Sequence, residues 1–433
     1  MFIQGNVFDV IKDIKSCSIH TIFSDPPYNL SSRWQIGHNG VPEEIGKAVD
    51  FMDKWEGLSA EQLTTLFQEL HRVLKFGGYC IMYGVDRQLL PFQYFAVKAG
   101  FEVCQSLYWY FTSGYPKSES VARKIDKKFG LKGEVISSRE VHDMTGGKFI
   151  HGCMKGEKTP KGVYEERECV SSLAKLFEGY KFGIAPFKPV LETIMVFRKQ
   201  CKTQVFDDIM EFENDPTISP AVVNIDGSRV PVVKNLLKKR TVRKKGVVTV
   251  QNSKIGGSLT DKFKNLAFPS QMLIHTEALE SLKRQGGDPG ILDKISYEDD
   301  EIDLLFGCSK ASKNEREEGL ESLQTQSKKG FNTSPRGYDG VIHDTVYRKN
   351  IHPTVKPIGL NERVFKRFLL PKKCKQKVLV PFGGVASEYI GVMKAGVPEK
   401  QILGIELGEE FKEIALERIK HYDNKFNKQK QLF

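Results

Sequence analysis

The sequence predicts an α/β protein built on a doubly wound, mainly parallel sheet. Three observations carry this. Helices, glycine turns and short apolar strands alternate through residues 1–111 and again from Gln376 onward. A β-branched, aromatic run, Ser18–Phe23, leads directly into the stiff tetrapeptide Asp25-Pro26-Pro27-Tyr28. Near the other end, Lys377–Leu407 reads strand, glycine turn, helix, strand and then an acid.

In chain order, Met1–Gln4 reads as a strand and Gly5–Asp9 as a turn into a short helix. Leu63, Leu66, Phe67, Leu70, Val73 and Leu74 recur at helical spacing, predicting a helix over Ser59–Leu74 that stops at Gly77-Gly78. Tyr79–Tyr83 follows as a strand, Gln88–Lys98 as a helix ending at Gly100, and Phe101–Phe111 as another strand. From Thr112 to Gly179 the chain reads as polar and irregular, apart from a helix over Glu119–Phe129. A strand is predicted at Thr193–Arg198. From Gln200 to about Asn350 periodicity fades while charge, glycine and serine increase, as in either a separate lobe or a partly disordered segment. The predicted organisation is 1–111 as one half of a catalytic domain, 112–199 as an insertion plus a returning strand, 200–350 as a recognition lobe, and 351–433 as the other half.

A chain of 433 residues can bury a full α/β core and still carry inserted lobes. The net charge of +11 favours a polyanionic partner. The eight cysteines are scattered with no CxxC pair, which points to reduced thiols and a cytoplasmic setting. No run approaches a membrane span, and the nine histidines show no metal-ligand spacing. No membrane and no metal are therefore expected.

The tetrapeptide suits a particular chemistry. Ligands of open α/β sheets bind beyond the carboxyl ends of the strands, where Asp25 falls. Two prolines fix φ and lack N–H groups, so a carboxylate, an outward carbonyl and a ring share one rigid loop. Such a loop fits a planar base with an exocyclic amine: two acceptors take the amino hydrogens while the ring stacks. The segment Lys377–Leu407 has the logic of an adenosine-binding half-fold, with Glu406 placed to accept ribose hydroxyls. Between the lobe and this half-fold, Asn350–Pro357 (NIHPTVKP) is a proline-locked loop at the lip of a binding site.

SDPPYNL, HPTVKP, VLVPFGGVAS and GIEL together resemble the amino-methylating DNA methyltransferases, in the permuted β-class order where DPPY precedes the cofactor motif. The phage and prophage type is most similar, since TSGYPKSESVARKIDKKFG, KPVLETIMVFRK, VNIDGSRV and LAFPSQMLIH resemble further landmarks of that group. The resemblance implies a Rossmann-like, S-adenosyl-L-methionine-dependent fold acting on double-stranded DNA with the target base flipped out. It implies that Asp25 and the Pro26 carbonyl, stiffened by Pro27, accept from the target amine, and that Tyr28 stacks on the base. It places the loop Pro381, Phe382, Gly383, Gly384 and Ser387 at the cofactor's methionine end, with Glu406 and Leu407 on its ribose. Asn6 and Val7 fall near the adenine, and His352, Thr354 and Lys356 border the same pocket. Val380 stands where the family has an acid that fixes the cofactor's ammonium, and Glu388 is the nearby substitute. Asp-Pro-Pro-Tyr favours N6 of adenine over N4 of cytosine; an inactive DNA-binding homologue is the reading from another class. A restriction-modification system is the implied setting. The oligomeric state is open, a homodimer being one option.

Overall fold

The computed structural model describes residues 1–27, 33–45, 57–111, 117–150, 153–185, 187, 189–228, 230–231, 266–267, 272–273, 310–329, 345–352 and 354–431. The basic run Lys238–Lys245, Tyr28 and most of the 200–350 lobe lie outside the described residues. The chain divides into two compact units. Met1–Phe111, Leu191–Glu315 and Val355–Phe433 form the first; Thr112–Val190 and Arg316–Thr354 form the second.

The first unit holds strands β1 (Phe2–Gln4), β2 (Ile19–Ser24), the hairpin β3 (Arg33–Ile36) and β4 (Pro42–Ile45), β5 (Leu74–Gly84), β6 (Phe101–Val103) and β7 (Leu107–Tyr110). Its helices there are α1 (Val7–Val10), α2 (Ala60–Val73) and α3 (Leu89–Lys98). The second unit contributes β8 (Lys117–Ser120), α4 (Val121–Lys128), β9 (Val135–Ile150), β10 (Cys153–Arg167), α5 (Ser172–Leu176) and β11 (Lys181–Ala185). The chain returns to the first unit with β12 (Leu191–Lys199), α6 (Val205–Glu211), β13 (Val230–Pro231), β14 (Leu266–Ala267) and β15 (Met272–Leu273). After α7 (Lys313–Glu317), β16 (Gln326–Lys329) and β17 (Thr345–Arg348) come α8 (Ile358–Lys366), β18 (Val378–Val380), α9 (Ser387–Ala395), β19 (Ile402–Glu406) and α10 (Glu409–Gln431).

The central sheet runs β1-β19-β18-β2-β5-β12-β7-β15, with β6 also on β12. From β1 to β5 every pairing is parallel; β12 is antiparallel to both β5 and β7. Strand alternation sends neighbouring residues to opposite faces. Phe23, Val378 and Val380 join a cluster with α8, α9 and α10, while Ile22, Leu379 and Cys80 join one with α2 and α3. Helices thus cover both faces, as the predicted doubly wound class requires. Helix α2 begins where a capping box forms, Ser59 accepting from the Gln62 N–H and Gln62 accepting from the Ser59 N–H.

Three expectations are corrected. Gly77-Gly78 do not stop α2; it passes at Leu74 into β5, and both glycines lie inside the strand. They are needed for close packing: a Cβ on Gly77 would sit 2.3 Å from the Ser219 carbonyl, and Gly77 has φ +77. Phe101–Phe111 is two strands. Val103 and Leu107 pair with Phe197 and Ile194 of β12, so the segment carries one residue more than its partner and bulges between them. The stretch that reads as irregular, 112–179, contains the long antiparallel ribbon β9–β10. Its sequence has no period-two apolar alternation, the signal left by a strand that buries one face.

Val380 is fully buried among Phe23, Tyr83 and Ile390. Val380→Asp should therefore lower unfolding free energy by about 3 kcal/mol by burying an unpaired charge. Val380→Ile should cost under about 1.5 kcal/mol. Urea unfolding of both variants checks this, and an Asp variant as stable as the parent would show a cationic partner at that point.

Candidate active site at the switch point of the sheet

Strands β2 and β18 are parallel neighbours, and the chain leaves them in opposite directions: β2 leads by α2 to β5, β18 by α9 to β19. Their carboxyl ends flank the topological switch point, where ligands of such sheets bind. Asp25-Pro26 follows β2 and Pro381–Ala386 follows β18, so loops from the two ends of the sequence share one crevice. The buried Ser24 hydroxyl donates to the Pro381 carbonyl at 3.2 Å and ties the two loops.

Asp25 is the centre of a buried polar chain. Lys356 Nζ donates to its Oδ2 at 2.8 Å and lies 3.0 Å from Glu192 Oε1. The three side chains are only 13%, 5% and 11% exposed for Asp25, Lys356 and Glu192. The same ammonium sits 4.8 Å over the Tyr83 ring. Tyr83 donates its hydroxyl to Asn361 Oδ1 at 2.6 Å, and Asn361 Nδ2 donates to Glu388 Oε1 at 3.3 Å. Asp25 Oδ1 is buried and has no hydrogen-bond partner among the described residues. A desolvated acceptor without a donor is costly, so it marks where a ligand donor belongs.

Burial raises the Asp25 carboxyl to about 6, Lys356 lowers it and Glu192 raises it. Burial, followed by the Asp25 charge, raises Glu388 to about 7. Asp25, Glu192 and Glu388 set three acids against the ammonium of Lys356 and the nearby Lys310, so the crevice suits an arriving cation.

The loop after β18 is held in an unusual conformation. Phe382, Gly384 and Ala386 have φ of 56, 50 and 65, a region L side chains rarely adopt. Backbone bonds hold it: the Gly383 N–H donates to the Ile405 carbonyl at 2.7 Å, and the Gly384 N–H to Glu406 Oε2 at 2.7 Å. The Glu406 Oε1 accepts from the Gly408 N–H at 2.9 Å. From the facing helix α10, fully buried Arg418 donates to the Val385 carbonyl at 2.6 Å and to Ser387 Oγ at 3.3 Å. The Leu407 N–H bonds to this carboxylate as well, and it keeps acceptor capacity for a further donor.

The sequence-derived residues fall into groups. Asp25, Pro26, Lys356, Pro381–Ser387 and Glu388 gather at the switch point, although Lys356 stands on Asp25 itself. Asn6 and Val7 follow β1 beside Glu406, where the Gly5 N–H donates to the Glu406 carbonyl at 2.8 Å; Leu407 is 66% exposed. His352 and Thr354 belong to the second unit, where the His352 carbonyl accepts from Arg316. Pro27 is half-buried at the loop. Sequence reasoning missed Glu192, Tyr83, Asn361 and Arg418. Glu192 left a signal, as the one acid inside an otherwise apolar strand, LETIMVF. Asn361 and Arg418 left none, since one polar side chain on an amphipathic helix reads as a solvated face. Among the described residues no acid, histidine and cysteine cluster fits a metal, and no helix is long and apolar enough to cross a membrane.

The raised Asp25 carboxyl gives a stability prediction with a defined sign. Between its ordinary 3.8 and about 6, the folded state holds a proton that the unfolded state has lost. Stability therefore falls as pH rises through that window, by a total of about 2–3 kcal/mol. Asp25→Asn lacks this penalty, so its melting temperature relative to the parent should rise from pH 4 to pH 7. A difference that stays flat would contradict the buried charge.

Against known proteins, the model of the DNA methylase family matches residues 19–417. Among solved structures, the M1.HpyAVI–SAM complex is 12% identical with a TM-score of 0.36, covering 97% of this chain and 98% of that one. The S-adenosyl-L-methionine complex of TTHA0409 from Thermus thermophilus, assigned as a DNA modification methylase, is 13% identical with a TM-score of 0.36, covering 97% and 93%. PvuII DNA methyltransferase, cytosine-N4-specific, is 10% identical with a TM-score of 0.39, covering 98% and 92%. A search of curated protein sequences returned no match. Because the family model spans nearly the whole length and takes in both strand-end loops of the switch point, this chain belongs to the DNA methylase family whose members methylate N6 or N4 amino groups.

Proposed function

We propose that the protein is a site-specific, β-class DNA methyltransferase of the phage type that methylates N6 of adenine. The observation that carries the reading is Asp25 Oδ1, a buried acceptor at the end of β2 without a donor among the described residues. Next to it the Pro26 carbonyl supplies a second acceptor on a backbone that two prolines stiffen. An exocyclic amine offers two donors, one for each acceptor.

The family uses S-adenosyl-L-methionine, and the residues present fit it. Its sulfonium and ammonium suit the acid-rich crevice of Asp25 and Glu388, and its ribose diol suits the spare lone pairs of Glu406. Pro381–Ser387 would lie along its methionine end, Asn6 and Val7 near its base. That cofactor supplies an electrophilic methyl group. The protein's part is positioning: Asp25 and Pro26 accept the amine's hydrogens, favouring a pyramidal nitrogen with its lone pair free, and the buried site excludes water. The base must leave the duplex to reach Asp25, and Tyr28 would offset part of the unstacking cost. The 200–350 lobe and its basic run Lys238–Lys245 are the proposed source of target recognition and phosphate contact.

Incubating the protein and DNA with methyl-labelled cofactor, then digesting to nucleosides, tests the reading. N6-methyladenine is expected, and Asp25→Ala should keep under about a tenth of turnover, a loss above roughly 1.4 kcal/mol. N4-methylcytosine as the product would move the assignment to the other amine, and label incorporation that survives Asp25→Ala would remove Asp25 from its role.

A further inference from the structure

Lys356 stands in HPTVKP, where the family resemblance places it at the cofactor, yet its ammonium is spent on protein carboxylates. It donates to Asp25 Oδ2 at 2.8 Å, leaves Oδ1 open, and is held on its other side by Glu192 at 3.0 Å. An ammonium can rotate; a Lys fixed by two carboxylates from different elements cannot do so freely. Lys356 enters from the segment before α8, Asp25 from the end of β2, and Glu192 from the second position of β12. Glu192 pairs in register with Trp109 of β7, and β12 is held between β5 and β7, so its backbone is fixed on a paired strand. The Tyr83 ring lies beneath the ammonium at 4.8 Å.

We infer that Lys356 and Glu192 are positioning residues for the methyl-transfer reaction, a pair that turns one oxygen of Asp25 toward the target amine and sets the charge on that carboxylate. The inference rests on the proposed function. Lys356 works by attraction, keeping Asp25 ionised as an acceptor; Glu192 works in two ways, anchoring Lys356 and opposing the Asp25 charge. Tyr83 and Glu388 also face Asp25 and feel the Lys356 charge, and Lys310 faces Glu192 and Lys356. Opposite effects on one carboxylate follow. Removing Lys356 should make Asp25 harder to ionise, and removing the Glu192 charge should make it easier.

Two readouts test this. In the first, kcat is measured against pH for the parent, Lys356→Met, Lys356→Arg and Glu192→Gln. The acid limb should rise by about one pH unit in Lys356→Met and fall by a similar amount in Glu192→Gln. Lys356→Met should also lower the plateau kcat at least about tenfold with the KM for cofactor changed less than about threefold, and Lys356→Arg should recover part of it. In the second, carboxyl-labelled aspartate is followed by carbon NMR in the cofactor-free protein. The Asp25 signal, identified by its loss in Asp25→Asn, should titrate higher without Lys356 and lower without the Glu192 charge. The NMR titration needs no turnover, so it decides the pairing even if the parent methylates no DNA, a result that would sink the proposed function alone. Shifts of one sign in both variants, no shift, or a Lys356→Met defect confined to the KM for cofactor would each overturn the inference.

Discussion

The ammonium of Lys356 is the counter-charge on which the buried chemistry of this fold depends. Asp25 and Glu192 both contact it, and Glu388 lies close enough to feel Asp25. Without it, desolvated carboxylates would face one another between the carboxyl end of β2 and the amino end of β12 and take up protons instead of charge. With it, one acid is held ionised and half-satisfied, which is the state an acceptor for an amine requires. Ordinary folding would favour pairing both oxygens. Leaving one unpaired sacrifices stability for a site that a substrate completes.

That arrangement needs the topology before it needs the residues. Parallel pairing of β18 with β2 brings a loop near the start of the chain against one near its end, with the Ser24–Pro381 bond between them. The order of motifs along the chain matters less than the order of strands in the sheet. Any connection that delivers β18 beside β2 would build the same crevice. The left-handed residues Phe382, Gly384 and Ala386 then bend the loop after β18 under the constraint of Glu406 and Arg418. Val380, at the end of β18 just before this loop, is fully buried in the core.

Much of this was legible in the sequence because it was local. Apolar runs ending in turn residues marked β2, β18 and β19, and helical spacing marked α2 to within a residue. Asp25, Pro26 and Glu406 were legible because a strand end followed by a rigid or acidic residue has local meaning. What escaped was long-range. Glu192 reaches Asp25 only through sheet pairing, and Asn361 reaches Glu388 only through the packing of α8 on α9. Arg418 was unreadable because a buried arginine on α10 looks like any charged position on an amphipathic helix. The ribbon β9–β10 escaped for a different reason, since its pairing is in the backbone and its sequence lacks apolar alternation.

The central claim is that Asp25 and Lys356 act as one ionic unit inside the fold. A double-mutant cycle in urea unfolding, using Asp25→Asn, Lys356→Met and the combination, measures that unit directly. At pH 8, where Asp25 is ionised, the coupling energy should exceed about 1 kcal/mol, and it should shrink toward zero near pH 4.5 as the carboxyl takes up its proton. Additive effects at both pH values would contradict the account.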